Sequence, residues 1–114
     1  MNPNESEDCL FVNVYTPFSS GGKRPVLVFI HGGGYSGGFG DDDLYGSQYF
    51  MTEDVVVVTF NYRLGVLGFF STGDRAAAGN WGLKDCIVAL RWVQDHIASF
   101  GGDASSVTIY GESA

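Results

Sequence analysis

Two runs in this chain, Val26-Leu27-Val28-Phe29-Ile30 and Val55-Val56-Val57-Val58-Thr59-Phe60, are apolar on both alternating faces. A strand with one face in water alternates apolar and polar side chains, so a run that is apolar on both faces has to be covered from above and below. A largely parallel sheet with helices packed on it meets that demand, which makes an α/β architecture the expected fold class. The stretch Leu83 to Ser99 supplies a long helix, with Cys86, Leu90, Val93 and Ile97 on one stripe and Lys84, Arg91 and Asp95 largely off it. Phe100-Gly101-Gly102-Asp103 ends that helix, glycine taking the left-handed cap. Trp81 and Trp92 read as packing residues and His96 as a helix-surface histidine. A further strand is expected from Cys9 to Thr16, with Leu10, Val12 and Val14 on one face, and a last one over Val107–Tyr110. Neither an internal repeat nor a linker divides residues 1–114, which read as one domain or part of one.

Glycine marks where two of these strands stop. The Val26–Ile30 run breaks at His31-Gly32-Gly33-Gly34-Tyr35, and glycines continue through Gly40. The last strand runs into Gly111-Glu112-Ser113-Ala114, which matches four of the five positions of the G-x-S-x-G nucleophile elbow. In such an elbow a tight strand-to-helix turn leaves the serine Oγ exposed, and flanking glycines let backbone approach closely. Gly-x-Ser taken alone is equally an ordinary turn.

Gly32 to Gly37 also satisfies G-x-G-x-x-G directly after a strand, the spacing of a dinucleotide-binding loop. The segment that follows, Gly37-Gly38-Phe39-Gly40-Asp41-Asp42-Asp43, is a poor start for the helix such a loop requires, and Glu53-Asp54 precedes the second buried strand instead of ending it. Acyl transfer through a serine explains both glycine features together. The developing oxyanion needs backbone N–H donors, and each is worth roughly 2.7–4 kcal/mol. A glycine-rich loop after a buried strand can bring unobstructed amides to that point, and Ala114, directly after Ser113, supplies another.

A net charge of −7 and a pI near 4.4 argue against nucleic acid as a partner. No apolar run approaches the roughly 20 residues of a membrane span. The start, Met1-Asn2-Pro3-Asn4-Glu5-Ser6-Glu7-Asp8, is too polar for a signal peptide; it contains a formal glycosylation sequon at Asn4, and the compartment stays open. Asp41-Asp42-Asp43 reads as a solvated loop, Asp43 capping a short helix over Leu44–Met51, in preference to a calcium loop. Cys9 and Cys86 are too few for a disulfide scaffold, and no His/Cys cluster implies a metal. Arg63 and Asp85 each sit in a glycine-flanked motif beside apolar residues, where an unpaired charge is costly, so a partly buried ion pair is expected.

In order along the chain stand Ser6-Glu7-Asp8-Cys9-Leu10, Asn13-Val14-Tyr15-Thr16-Pro17, His31-Gly32-Gly33-Gly34-Tyr35 and Asn61-Tyr62-Arg63-Leu64-Gly65. Gly79-Asn80-Trp81-Gly82-Leu83-Lys84-Asp85, Ala89-Leu90-Arg91-Trp92-Val93, Phe100-Gly101-Gly102-Asp103 and Val107–Ala114 follow. Carrying these motifs, the chain resembles the N-terminal part of a type-B carboxylesterase, in the cholinesterase-like branch of the α/β-hydrolases. The resemblance implies Ser113 as nucleophile, oxyanion amides from Gly33, Gly34 and Ala114, Glu112 as the acidic neighbour bordering the active-site gorge, and His31 as a structural residue of the loop. It implies small-molecule carboxylic esters as substrates, hydrolysed through an acyl-enzyme with no cofactor. The family's triad runs Ser, then Glu or Asp, then His, whereas His31 and His96 both precede Ser113. On that reading the remainder of a parent chain completes the fold, and these 114 residues alone are inactive. Two departures stand out. The family usually has glutamine at the position of Cys86, and Cys9 matches a cysteine whose family partner lies further upstream. Cys9 and Cys86 pairing with each other is the alternative, and two free thiols are expected in preference because Cys86 belongs to the helix's buried stripe. The competing reading is a non-catalytic adhesion or scaffolding relative, which the presence of Ser113 and the loop glycines disfavours.

Overall fold

The structure is a computed structural model that describes residues 6–18, 21–40, 50 and 52–114. Its elements are strands β1 (Val12–Tyr15), β2 (Arg24–Ile30) and β3 (Val56–Phe60), a short helix α1 (Gly65–Phe69), the long helix α2 (Trp81–His96) and strand β4 (Gly102–Gly111). A single 3-10 turn, Ile97–Phe100, joins α2 to β4. The sheet order is β1-β3-β2-β4, with β1 antiparallel to β3 and the other neighbours parallel.

Both faces of the two central strands are covered, as their composition requires. On one face Val26, Val28, Val56, Val58 and Phe60 pack with Ala89, Val93 and Ile97 from the helical side. On the other, Phe29, Val57 and Thr59 are also buried. Each fully buried valine or isoleucine here contributes roughly 1.5–3 kcal/mol relative to exposure. The helix stripe is sharpest at Val93 and Ile97, which are fully buried, while Cys86 and Leu90 pack against the rim of this core.

Boundaries differ from the sequence expectation in three places. Helix α2 begins at Trp81, its entry set by Asn80 in the left-handed region (φ 57°, ψ 29°), and its last three expected residues, Ile97 to Ser99, tighten into the 3-10 turn. Gly101 (φ 81°) then ends it. Strand β4 begins at Gly102 and not at Val107: Gly102 pairs with Arg24 and Val107 with Val26, so the intervening residues bulge out. Asp103 closes that bulge by accepting from Ser105 N (2.9 Å) and Ser105 Oγ (2.6 Å), a local polar solution that apolar periodicity does not register. Strand β1 is four residues long, and Leu10, expected on its inner face, precedes it and is exposed. Apart from Phe50, the helix expected over Leu44–Met51 lies outside the described residues, as do Asp43 and Asn4.

Candidate active site

The parallel pairing of β2 with β4 sets Ile30 opposite Gly111. Whatever follows those two residues must emerge side by side, and these are the His31–Gly40 loop and the Glu112-Ser113-Ala114 turn. The approach is close. A Cβ on Gly111 would lie 2.6 Å from the Ile30 carbonyl, and one on Gly32 would lie 3.0 Å from Ser113 Cβ and collide with the Glu112 carbonyl. Ser113 has φ 60°, a left-handed conformation that costs a non-glycine residue about 1–3 kcal/mol and tends to mark functional turns. The structure thus holds Ser113 on a strained turn whose neighbour in space is the glycine loop.

Within the loop the carbonyls of Gly32 and Gly33 are both engaged. His31 Nδ1 donates to the Gly32 carbonyl (2.8 Å). The Gly33 carbonyl accepts from the N–H groups of Ser36 and Gly37 (both 3.1 Å) and from Ser36 Oγ (3.2 Å). Among the described residues the Gly33 and Ala114 N–H groups make no hydrogen bond, while the Gly34 N–H donates to the Ala114 carbonyl. At its far end the loop is latched through Gly40. The Gly40 carbonyl accepts from Asn13 Nδ2 (2.9 Å) and Thr59 Oγ1 (2.6 Å), and its N–H donates to Asn61 Oδ1 (2.7 Å).

Ser113 opens on a cavity of about 360 Å³ whose lining includes His31, Tyr35, Tyr62, Cys86 and Ala114. His31 is 2% exposed and stacks on Tyr62 (4.5 Å between rings, 22° between planes), and the Tyr62 hydroxyl donates to the His31 carbonyl (2.7 Å). Burial, then the charge of Asp85, pushes the Cys86 thiol up, so it stays protonated near neutral pH. No imidazole is hydrogen-bonded to Ser113 among the described residues: His31 is turned to Gly32, and His96 lies at the far end of α2 against Trp92. Glu112 is exposed beside the loop. Among the described residues no group of three or more His, Cys, Asp or Glu side chains could hold a metal ion, and no helix is long and apolar enough to cross a membrane.

Compared with known proteins, residues 1–114 match the family described as "Carboxylesterase family" over their whole length. The chain belongs to the carboxylesterase family. It is 56% identical over 110 residues to juvenile hormone esterase of Tribolium castaneum, covering 96% of this chain and 19% of that protein. It is 58% identical over 111 residues to liver carboxylesterase 1 of Oryctolagus cuniculus, covering 96% and 20%. Among solved structures it is similar to a PNB esterase, with a TM-score of 0.91 at 46% identity over 99% of this chain and 25% of the other. The chain therefore spans about a fifth of the length of the curated relatives it matches. Its sheet and helix are part of an α/β-hydrolase fold.

Beside the site, this carboxylesterase segment ties the exit of β3 to α2 through Arg63 and Asp85. Arg63 Nη2 and Nε donate to Asp85 Oδ1 and Oδ2 (2.7 Å each), and the Arg63 backbone N–H donates to Oδ2 (3.0 Å). The Asp85 side chain is 10% exposed and that of Arg63 38%. Burial pushes the Asp85 carboxyl up, but the Arg63 hydrogen bonds and charge outweigh it and hold the carboxyl below its ordinary range. Trp81 lies under Lys84 Nζ at 3.9 Å and near the Arg63 guanidinium at 5.7 Å, so it packs against cations at the helix start and not in the core. Sequence reasoning missed Tyr62 and the buried Arg24, whose Nε lies 2.6 Å from Asp54 Oδ1. Cys9 and Cys86 are both free.

Proposed function

We propose that the protein hydrolyses small-molecule carboxylic esters, with Ser113 as the nucleophile. The observation that carries this reading is the left-handed Ser113 held against the glycine loop, with no room for a side chain at Gly32. Ser113 Oγ attacks the ester carbonyl, the alcohol leaves, and water then releases the acyl group from the enzyme. The Gly33 and Ala114 amides, which make no hydrogen bond among the described residues, receive the oxyanion charge. Gly34 adds a third donor once its bond to the Ala114 carbonyl gives way. Glu112, exposed at the turn, borders the substrate entrance. The reaction needs no metal or cofactor. The triad acid and the histidine base come from sequence beyond Ala114, in keeping with the fifth of the relatives' length spanned here. Relatives whose names denote ester hydrolysis, such as the juvenile hormone esterase, support the substrate class.

A serine hydroxyl without an adjacent base is a weak nucleophile, so fast phosphorylation by an organophosphate reports a complete site. In the full-length protein one serine should take the label rapidly, and peptide mapping should place it at Ser113. Ser113→Ala should abolish both labelling and turnover of an activated ester, a loss on the order of 10⁶ in kcat. Residues 1–114 alone should do neither. A folded full-length protein that takes no label, or takes it on another residue, would replace the hydrolase reading with a non-catalytic adhesion role.

A further inference from the structure

We infer that His31 is a positioning residue: by holding the Gly32 carbonyl with Nδ1–H, it aims the Gly33 amide at the oxyanion formed when Ser113 attacks. The inference rests on the reading of Ser113 and the loop given above. A carbonyl oxygen only accepts, so the 2.8 Å contact places the proton on Nδ1. A trans peptide is planar, and its C=O and N–H point in opposite directions. Pinning the Gly32 oxygen on one side therefore turns the Gly33 N–H to the other, and that N–H makes no hydrogen bond among the described residues. Without the pin, three consecutive glycines leave this peptide free to rotate.

The surroundings make His31 a rigid pin. Its ring is stacked on Tyr62, and the Tyr62 hydroxyl holds the His31 carbonyl. Behind it Gly38 (φ 103°) closes the gap so tightly that a Cβ would lie 2.5 Å from both the Gly32 oxygen and His31 Nδ1. The next peptide repeats the pattern, since Ser36 and Gly37 capture the Gly33 carbonyl and the Gly34 N–H faces Ala114. The Gly34 N–H is thus turned to the serine turn, and the Gly33 N–H to the side of its peptide away from His31. His31 Nε2, by contrast, is buried with no partner among the described residues, so the ring's hydrogen-bonded hold on the loop runs through Nδ1 alone. A histidine that merely filled space would not distinguish its two nitrogens.

That distinction supplies the test, made in the full-length protein. In His31→Asn the amide N–H falls where Nδ1–H lies, in His31→Gln it falls nearer Nε2, and His31→Phe keeps an aromatic ring with no donor. His31→Gln and His31→Phe should lower kcat on an activated ester by about 10- to 10²-fold, as expected when an oxyanion donor is misplaced and not deleted. KM should stay within about threefold, because the lost interaction belongs to the transition state. Organophosphate labelling of Ser113 should slow, and affinity for a trifluoromethyl ketone should fall, by similar factors. His31→Asn should restore most of kcat. Rates are normalised to titrated active sites, so only folded molecules are counted, and if His31→Phe does not fold the Asn–Gln contrast decides. Equal kcat for Asn and Gln, or a loss confined to KM, would overturn the role assigned to His31. An unlabelled wild-type Ser113 would instead overturn the nucleophile reading itself.

Discussion

Two junctions hold this segment together, and they are built in opposite ways. Where the glycine loop meets the serine turn, contact is backbone on backbone, made possible by side chains that are missing at Gly32 and Gly111. Where β3 runs out toward α2, contact is side chain on side chain, through the two-pronged Arg63–Asp85 pair and the Trp81 ring between cations. The first junction is broken by adding atoms and the second by removing them. Backbone cannot be lengthened or re-rotamered, so the first offers positional accuracy, while the second offers energy that can be lost in instalments.

The largest effect is expected at the first junction. Gly32→Ala should lower kcat of the full-length protein by 10² or more, since a loop displaced by about 1 Å loses that much from a preorganised site. The added carbon would press on the Glu112 carbonyl and Ser113 Cβ. Gly37→Ala is the control: it lies in the same loop, and a Cβ there would meet nothing within 4 Å. Equal kcat for the two variants would show that the junction tolerates atoms as readily as any loop.

Next comes Arg63→Ala, which strands the nearly buried Asp85 carboxylate with, among the described residues, only the backbone N–H of position 63 as a donor. Removing one partner of a buried pair costs about 3–5 kcal/mol, and the exposed part of Arg63 argues for the lower end. Asp85→Ala should cost less, because the guanidinium it leaves behind can turn to water. Chemical denaturation of both single variants and the double gives the coupling directly, and strict additivity would mean the pair contributes nothing as a pair.

The smallest effect is on acid stability. The Asp85 carboxyl is depressed in the folded state, so its contribution is present above the unfolded value near pH 3.9 and is lost as pH falls through the lower folded value. The stability difference between wild type and Asp85→Asn should therefore be constant at neutral pH and shrink below about pH 4. Asp74 and Asp103 are also depressed, by bonds from the Thr72 and Ser105 hydroxyls, but they remain in both proteins and cancel from the difference. A difference that stays flat down to pH 2 would assign the acid sensitivity to those other carboxylates.

The two junctions also differ in how far the sequence reveals them. Buried strands β2 and β3 declare themselves because both faces are apolar, and the Gly101 cap because glycine there follows a long amphipathic run. The glycine loop and the Gly-Glu-Ser-Ala turn stand out as motifs, yet the motif treats its three glycines alike. In the structure they do different work: Gly32 makes room for the serine turn, Gly33 (φ 124°) for the Gly37 carbonyl, and Gly34 supplies a left-handed φ. The latch on Gly40 is invisible in sequence, since Asn13, Thr59 and Asn61 are polar residues without periodicity that meet only after three strands have paired. Tyr62 escaped notice for the same reason. Its role depends on β2 and β3 ending side by side, which no local pattern encodes.

Ser113 leaves a mark that extends past chemistry. Glycine would occupy φ 60° without the crowding a side chain brings, so at this one position the residue that folds best is not the residue the proposed reaction needs. Any survey of substitutions scored by abundance or heat resistance alone would rank glycine above the native serine here. The protein accepts that handicap in every resting molecule, whether or not a substrate ever arrives.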